Sequence, residues 1–400
     1  MPKPLLLAPS LALLIACSGG GGASQAAPTP SPTASQSSAP TPTPTSSSQP
    51  VEGLPAGLPF NASLEGQFDN PFAIAFLPDG RLLVTEKPGH VRLRATDGTV
   101  ADVAGVPKVD YGNQGGLLDV APAPDFASSH AIYLSYSEPG DGGSSLALAR
   151  ATLDTSGSQP KLDGLKVIWH QMPKGKGGQF GAVIAFSPDH QHLFLASGER
   201  QRFTPAQDPD QALGKILRFN LDGSVPKDNP MYAKGGVEAI TWTTGHRNPY
   251  GLVFAPDGHL WENEMGPKGG DELNLIEPGK NYGWPNVSWG DNYDGTPIPK
   301  PRAGDGYQMP VLYWVPSISP AGAIIYTGSM FPQWDGNYIL GALSGQALVR
   351  ITLNGTTAKK ADQWNMNMRI RDIAQAPDGA IWLIQDGDNA QLMRLTPKPS

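Results

Sequence analysis

The segment Thr244–Pro285 concentrates residues that can do polar chemistry. Arg247 and Asn248 are adjacent at the end of a strand-like run, which suits fixed hydrogen-bond donors directed at an anion or a carbonyl group. Asp271 and Glu272 are adjacent carboxylates that follow a Gly-Pro turn, and carboxylate and carbonyl oxygens suit a hard cation. The many glycines let the backbone approach a ligand closely. The segment is therefore predicted to be a cofactor platform.

A second candidate lies near the end of the chain, in the sequence MRIRD. Arg369 and Arg371 alternate, so on a strand both side chains point to one side. Two like charges side by side are costly unless an anion or a carboxylate lies between them. A solvated strand edge is the simpler interpretation of such a pair. Together with Arg247, however, the pair would suit a ligand that carries several carboxylates.

The elements that would position these residues are indicated by a recurring pattern. An apolar stretch, a proline-containing turn and a strand-like apolar run occur six times, with the fifth copy weaker, and the turn prolines are Pro78, Pro124, Pro188, Pro256, Pro332 and Pro377. Asp-Gly between two apolar runs is a strong hairpin signal. Six irregular copies predict an all-β fold, a six-bladed β-propeller with four-stranded blades. A sandwich with six unrelated hairpins is the alternative.

Composition agrees with this fold class and limits the partners. The chain has 400 residues with 48 Gly and 41 Pro, which is typical of a turn-rich β protein. Its formal net charge is −7, and this mild acidity argues against a nucleic-acid partner.

The N-terminus is predicted to be a secretory signal peptide, residues 1–17, because Lys3 is followed by an apolar run that ends at Cys17. Leu14–Cys17 resembles the bacterial lipobox, in which the cysteine is lipidated. An ordinary signal peptide is the alternative. Ser18 favours the outer membrane, so we expect a protein of the cell envelope, held on the periplasmic face by its lipid alone. Cys17 is the only cysteine, so the sequence excludes a disulfide within the chain.

Residues 18–59 are rich in Gly and then in Pro, Ser and Thr, and this composition predicts a disordered linker between lipid and domain. Residues 60–400 are then left for the propeller.

The motifs NQGGLLD, GKILRFNLDGSVPKDNP, TGHRNPYGLVF, GPKGGDELNLIEPGKNYGWP and RIRD occur in this order. In this respect the chain from about residue 60 to 395 resembles the soluble quinoprotein glucose dehydrogenase and aldose sugar dehydrogenase family, also called the glucose/sorbosone dehydrogenase family. The resemblance implies a six-bladed propeller that binds pyrroloquinoline quinone (PQQ) and Ca²⁺. It also implies oxidation of an aldose at its anomeric carbon, with hydride transfer to PQQ.

The resemblance assigns roles to individual residues. Those expected to contact the cofactor or the active-site region are Gln114, Arg247, Asn248, Trp314, Arg369 and Arg371. Trp314 would lie over the cofactor, although a place in the core is the alternative. The backbone carbonyls of Gly266 and Pro267 would hold the Ca²⁺ next to PQQ. Asp271, Glu272 and Tyr282 match positions at or near calcium sites: Glu272 and Tyr282 would serve a structural ion, and Asp271 could instead brace the loop.

The chain departs from the family pattern at the expected catalytic base. Gln179 stands where the family has a histidine, and an amide cannot act as a general base. Glu199 replaces an aspartate that supports this histidine, and Ser344 takes the place of a lysine that contacts PQQ. Val183 replaces an arginine, and Gln207 is expected to be another pocket glutamine.

Three hypotheses remain open. Glu199 could serve as the base with a raised pKa, or another group could serve, with candidates His170, Lys174 and Lys176. Alternatively, the protein is an inactive propeller that binds PQQ or sugar, or it oxidises something other than an aldose. A metal-dependent lactonase would share the hairpins but has no use for the arginines. For an active enzyme, the sequence leaves the electron acceptor, a quinone or a cytochrome, undetermined.

Overall fold

A computed structural model describes residues 49–399 of the chain. The predicted signal peptide, Cys17 and most of the predicted linker lie outside these residues. Within 49–399, no helix is long and apolar enough to span a bilayer.

The regular secondary structure of the described chain is almost entirely β-strand. In chain order they are β1 (Gln49–Pro50), β2 (Phe60–Phe68), β3 (Pro71–Phe76), β4 (Leu82–Glu86), β5 (His90–Arg94), β6 (Val100–Val103), β7 (Leu117–Pro122), β8 (Ala131–Gly140), β9 (Gly143–Asp154), β10 (Lys161–His170), β11 (Gly181–Phe186), β12 (His192–Ser197), β13 (Lys215–Asn220), β14 (Thr241–Thr244), β15 (Pro249–Phe254), β16 (Leu260–Glu264), β17 (Asp271–Ile276), β18 (Leu312–Trp314), β19 (Pro320–Ile325), β20 (Tyr338–Ala342), β21 (Ala347–Asn354), β22 (Thr357–Asn365), β23 (Ile370–Gln375), β24 (Ile381–Gln385) and β25 (Ala390–Pro397). The helical segments are short: α1 (Phe126–Ser129) and the 3₁₀ turns Thr204–Gln207, Tyr232–Lys234, Glu238–Ile240 and Pro332–Trp334.

These strands form six antiparallel sheets, which confirms the predicted six-bladed propeller. Blades 1 to 5 are β3–β6, β7–β10, β11–β14, β15–β18 and β19–β22. Blade 6 combines β23–β25 with β2, which pairs antiparallel to β25, so the two ends of the fold close the ring within one sheet. The first strand of each blade packs against the first strands of its neighbours and lies nearest the axis.

The six proline-containing turns join the first and second strands of the six blades, as the repeat predicted. In the Pro-Asp-Gly copies, the aspartate side chain accepts from the amide two residues further on. Asp257 Oδ1, for example, lies 3.1 Å from the His259 nitrogen. The glycine that follows, Gly258, has φ +91°, which a residue with a Cβ rarely adopts.

The first strand of each blade, here called its axial strand, has a register shift near its beginning. Such bulges free backbone amides from the ladder, and two of them are bound by aspartates of a neighbouring blade. Asp119 accepts from the Ile184 amide and Asp372 from the Ile74 amide, each at 2.7 Å. The bulges therefore lock adjacent blades together close to the end at which the axial strands begin, here called the upper end.

The ordered fold starts earlier than the sequence predicted. β1 pairs with β2 through Gln49 opposite Leu64, so one sheet has five strands. Val51, Leu54 and Leu58 then pack against the core of blades 5 and 6. Residues 49–59, which the composition assigned to the linker, therefore belong to the propeller because these scattered apolar side chains are partly buried on it.

Candidate active site

The loops at the upper end bring together residues from all six blades. They either precede an axial strand or join the second and third strands of a blade, and they carry Lys87, Gln114, Gln179, Glu199, Arg247, Gly266, Ser344, Arg369 and Asp386. Arg371 lies near the start of the axial strand of blade 6. Most of the predicted site residues therefore share one face, although they span about 260 positions of sequence, from Gln114 to Arg371.

Gln179, Glu199 and Arg247 form one connected group. In the amide orientation that satisfies its neighbours, Gln179 donates to Glu199 Oε1 and accepts from Arg247 Nη2 at 2.8 Å and Nη1 at 3.2 Å. All three are at most 5% exposed. The amide thus separates a carboxylate from a guanidinium, and each of its two polar atoms has a charged partner.

Glu199 also organises a strained loop. Its Oε2 accepts from the backbone amides of Arg202, at 2.6 Å, and Phe203, at 2.5 Å. Arg200, Gln201 and Phe203 all have φ between 57° and 63°, which is unfavourable for residues with a Cβ. The Glu199 carboxylate is one of the groups that hold this backbone. Burial raises the pKa of Glu199, and the hydrogen bonds and the Arg247 charge oppose that rise.

Gln114 links this group to the last blade. Its Oε1 accepts from the Gln179 backbone amide at 2.8 Å and from the Tyr250 hydroxyl at 3.3 Å. The Arg371 guanidinium lies 5.6 Å from the centre of the Tyr250 ring. A chain of direct contacts therefore runs across the upper end from Glu199 to Arg371.

Arg369 and Arg371 point to one side, as predicted, and the carboxylate between them comes from Asp386. Arg369 Nε lies 2.8 Å from Asp386 Oδ2, and Arg371 Nη2 lies 2.7 Å from Oδ1. Lys87 Nζ is 3.8 Å from the same carboxylate. Although burial alone would raise it, the pKa of Asp386 is lowered to about 2 by the Arg371 charge, the hydrogen bonds and Lys87. Three cations thus face one anion.

The Gly266–Gly270 loop approaches Arg247 from blade 4. Arg247 Nη1 donates to the carbonyls of Met265 at 3.0 Å and Gly266 at 2.8 Å. A Cβ on Gly266 would lie 2.3 Å from the Gly270 oxygen, so this fold of the loop requires glycine.

Asp271 braces this loop, the alternative role that the sequence left open. Its Oδ1 accepts from the Gly266 amide at 2.9 Å. Its Oδ2 accepts from the Ser317 hydroxyl and from the amides of Ile318 and Ser319 at 2.7 to 2.8 Å. Four donors therefore occupy this carboxylate.

Glu272 belongs to a buried acidic cluster that it forms with Glu262 and Glu264. All three carboxylates share the amide nitrogen of Asn274, at 3.0 to 3.4 Å. His246 Nδ1 lies 3.1 Å from Glu264 Oε1. Burial first, and then the charge of Glu264, raise the pKa values of Glu262 and Glu272 well above the usual value. Glu262 Oε1 and Asn274 Oδ1 have no partner, so the cluster is short of positive charge.

Tyr282 contacts this cluster by its ring and not by its hydroxyl. The ring stacks on His246 with centroids 4.7 Å apart, while the hydroxyl lies 3.0 Å from the Glu277 nitrogen. Tyr282, Glu264 and Glu272 line one small cavity. The hydroxyl is therefore directed away from any ion in the cluster.

Trp314 lies in the core, the alternative that the sequence left open, and not over the upper end. It lies on the outermost strand of blade 4, 5% exposed, and packs into the core between blades 4 and 5. Its neighbour Val315 instead lines an upper-end cleft together with Pro267 and Ser344. Ser344 is thus placed in the site, where its hydroxyl lies 2.8 Å from that of Ser319.

The other proposed bases lie outside the Gln179 group. His170 Nδ1 bonds to Glu138 at 2.8 Å, and the same carboxylate pairs with Lys174. Lys176 is exposed, and Gln207 binds the Asn281 side chain and the Trp284 carbonyl. Among residues 49–399, Glu199 is the titratable acid that bonds directly to Gln179.

Sequence reasoning missed several site residues: Lys87, Tyr250, Glu262, Glu264, Trp284, Tyr293 and Asp386. Glu262 and Glu264 are two positions apart on one strand, the same spacing as Arg369 and Arg371. This spacing puts both carboxylates on one side of the strand and could have indicated a paired site. The need for a carboxylate beside the two arginines pointed to a residue such as Asp386, but nothing local identified it.

A family model for glucose/sorbosone dehydrogenases matches residues 68–394. The chain belongs to the glucose/sorbosone dehydrogenase family. It is 38% identical to the aldose sugar dehydrogenase YliI of Escherichia coli over 346 residues, covering 84% of this chain and 92% of that protein.

Solved structures of this family resemble the whole propeller. The soluble aldose sugar dehydrogenase of Escherichia coli in its apo-form is 37% identical, with a TM-score of 0.80, and covers 85% of this chain and 100% of that one. The PQQ-bound aldose sugar dehydrogenase of Streptomyces coelicolor is 28% identical, with a TM-score of 0.69, and covers 86% and 100%.

Proposed function

We propose that this member of the glucose/sorbosone dehydrogenase family is a PQQ- and Ca²⁺-dependent dehydrogenase that oxidises an aldose at its anomeric carbon. The observation that carries the proposal is the excess of positive charge at the upper end. Lys87, Arg369 and Arg371 face a single carboxylate, Asp386. The named relatives, including one whose structure holds PQQ, support the same assignment.

The residues present fit PQQ, which carries three carboxylates. Arg371 is held in place by Asp386, and Arg369 is 45% exposed on its side chain with only Nε engaged by that carboxylate. Its remaining donors can therefore bind a ligand carboxylate. Gln114, Arg247 and Asn248 would bind the end of PQQ that lies away from Arg369. There, Arg247 Nε is buried without a partner.

The residues also fit Ca²⁺ at two places. Gly266 and Pro267 offer adjacent carbonyls on a loop whose shape is fixed by Asp271. In the acidic cluster, Glu262, Glu264 and Glu272 offer buried oxygens with too little positive charge beside them, which a divalent cation would supply. We assign the second place to a structural ion that also involves the backbone carbonyl of Tyr282.

The chain's own residues would bind the sugar hydroxyl and remove its proton. When bound, PQQ supplies a hydride acceptor whose quinone oxygens are polarised by Ca²⁺. Gln179 orients the hydroxyl through its amide, which Arg247 and Glu199 hold in one orientation. Glu199 is the proposed proton acceptor, since burial raises its pKa and it bonds directly to Gln179.

An inactive propeller that binds PQQ or sugar is the second candidate. It is favoured by the same geometry, because Glu199 is only 1% exposed and the Gln179 amide already occupies its Oε1. The two oxygens of Glu199 already accept three hydrogen bonds. In that case the Glu199 carboxylate serves only to hold the backbone of residues 200–203.

Reconstitution separates these candidates. The purified full-length chain is titrated with PQQ and Ca²⁺, uptake is followed by absorbance, and reduction of an artificial electron acceptor is measured with a panel of aldoses. Uptake with reduction is expected. Uptake without reduction for any aldose would identify an inactive propeller that binds PQQ. No uptake at all would contradict both the enzyme and the PQQ-binding propeller.

We further propose that the protein is lipid-anchored through Cys17 on the periplasmic side of the outer membrane, with a quinone or a cytochrome as electron acceptor. The lipobox-like sequence and Ser18 support the anchor. Incorporation of labelled fatty acid in the native chain but not in Cys17→Ser tests it. Equal labelling of the two chains would rule it out.

A further inference from the structure

The longest described link between a third and a fourth strand is the segment 277–311, which joins β17 to β18. A link between a third and a fourth strand starts at the end of the blade opposite the upper end, here called the lower end. This one nevertheless extends to the candidate active site at the upper end. The Trp284 amide donates to the Gly245 carbonyl at 2.9 Å, and Asp291 pairs with Lys268 in both directions. Segment 277–311 is therefore anchored beside the Gly266 loop.

Tyr293 is the most exposed large hydrophobic side chain among those described, at 73%, and it lies on this anchored segment. Its hydroxyl accepts from Arg247 Nη2 at 3.3 Å, and its ring centre is 5.8 Å from the guanidinium. Trp284 lies 5.1 Å from the same guanidinium, which is thus flanked by two rings. Most of Tyr293 is thus left to solvent next to a buried site residue.

The surface next to this ring is suited to a polyhydroxylated ligand. Tyr293 lines an open cleft of about 560 Å³. Among its other lining residues, Val315 and Pro316 are apolar, Lys268 is charged, and Ser317, Ser319 and Ser344 carry hydroxyls. A sugar ring has hydroxyls at its edge and C–H groups on its faces, so a cleft with serines and an aromatic ring matches both.

We propose that Tyr293 forms a sugar subsite, in which its ring packs on the C–H face of the aldose and its hydroxyl holds Arg247 toward the reacting end. This inference rests on the proposed function. Arg247 and Asn248, which would bind the cofactor, are at most 5% exposed, whereas Tyr293 is 73% exposed. The tyrosine therefore lies outside the buried groups assigned to PQQ and is assigned to the substrate.

The test compares Tyr293→Ala and Tyr293→Phe with wild type, using Tyr232→Ala as a matched control because Tyr232 is 41% exposed on a lower-end link. Loss of the ring is expected to raise KM for the aldose about five- to ten-fold, with PQQ affinity unchanged. Tyr293→Phe should keep KM near wild type and lower kcat. Tyr232→Ala should match wild type.

An unchanged KM in Tyr293→Ala would overturn the subsite, and so would a loss of PQQ affinity, because the ring would then contact the cofactor. If wild type reconstituted with PQQ and Ca²⁺ oxidises no aldose, the proposed activity fails. Calorimetric binding of an aldose to the reconstituted protein then tests the subsite. Binding that is lost in Tyr293→Ala supports the subsite, whereas no binding, or equal binding by both proteins, rejects it.

Discussion

Asp386 accepts hydrogen bonds from both Nε and Nη2 of Arg371, at 2.9 and 2.7 Å, and so fixes the orientation of a cation at the ring closure. Asp386 lies on the link between β24 and β25, and Arg371 lies on the axial strand of the same blade. The pair therefore anchors the upper-end link of blade 6 to the axis.

We expect Asp386→Asn to reduce the free energy of unfolding by about 2 kcal/mol at pH 7. The pKa of Asp386 falls from 3.8 to about 2 on folding, and each pKa unit is worth about 1.4 kcal/mol. Because the folded pKa is the lower one, this stabilisation is present above pH 3.8 and is lost as the pH falls through 2. Denaturant unfolding from pH 2 to pH 7 measures it.

Asp141→Asn is the matched control, since Asp141 is exposed on another upper-end turn. It should change stability by less than about 0.5 kcal/mol. A pH-independent difference between Asp386→Asn and wild type would show that the ion pairs contribute nothing.

Gln179→His should increase the turnover number if proton removal limits the reaction. The imidazole would stand next to Glu199 and could act as a general base, a role worth about 100-fold or more. The pH–rate profile should then gain a limb near pH 6.5. Gln179→Asn, which keeps an amide, is the control and should gain neither feature. A turnover number that does not rise would indicate that proton removal is already adequate in wild type.

Removal of divalent cations should destabilise the protein through the acidic cluster. Glu262, Glu264 and Glu272 are buried around one amide, so their repulsion is relieved only by a cation or by protonation. A chelator is expected to lower Tm at pH 7, and added Ca²⁺ should restore it. In Glu262→Gln the effect of the chelator should be smaller. Identical Tm values with and without chelator would argue against a structural ion.

Gly266→Ala should impair the reconstituted activity more than the fold. The added Cβ would lie 2.3 and 2.4 Å from the Gly270 and Gly269 oxygens, so the loop that offers the proposed Ca²⁺ carbonyls must move. We expect the Ca²⁺ concentration that gives half-maximal activity to rise at least ten-fold, while the circular dichroism spectrum stays like that of wild type. Such a shift equals about 1.4 kcal/mol.

The matched control for this substitution is Gly112→Ala, because a Cβ on Gly112 meets nothing within 4 Å and its φ is not positive. It should leave the dependence on Ca²⁺ unchanged. If Gly266→Ala behaves in the same way, the loop does not hold the ion.

Much of the fold could be predicted because its signals are local. The Pro-Asp-Gly turns depend on an aspartate that binds an amide two residues away and on a glycine with positive φ, and both act within a few residues. The start of the domain was misplaced for the opposite reason. Val51, Leu54 and Leu58 look like linker residues until blades 5 and 6, distant in sequence, provide the surface that covers them.

The sequence by itself determined the propeller, the family and the residue types at the upper end, including the amide at position 179 in place of a base. Only the tertiary structure decided which groups meet: Asp386 between the two arginines, Glu199 behind Gln179, Tyr293 on Arg247, and Trp314 in the core. The physical reason is that turn and strand signals depend on neighbouring residues. A side chain's charge partners and burial depend instead on where the closed ring places blades that lie far apart in the chain.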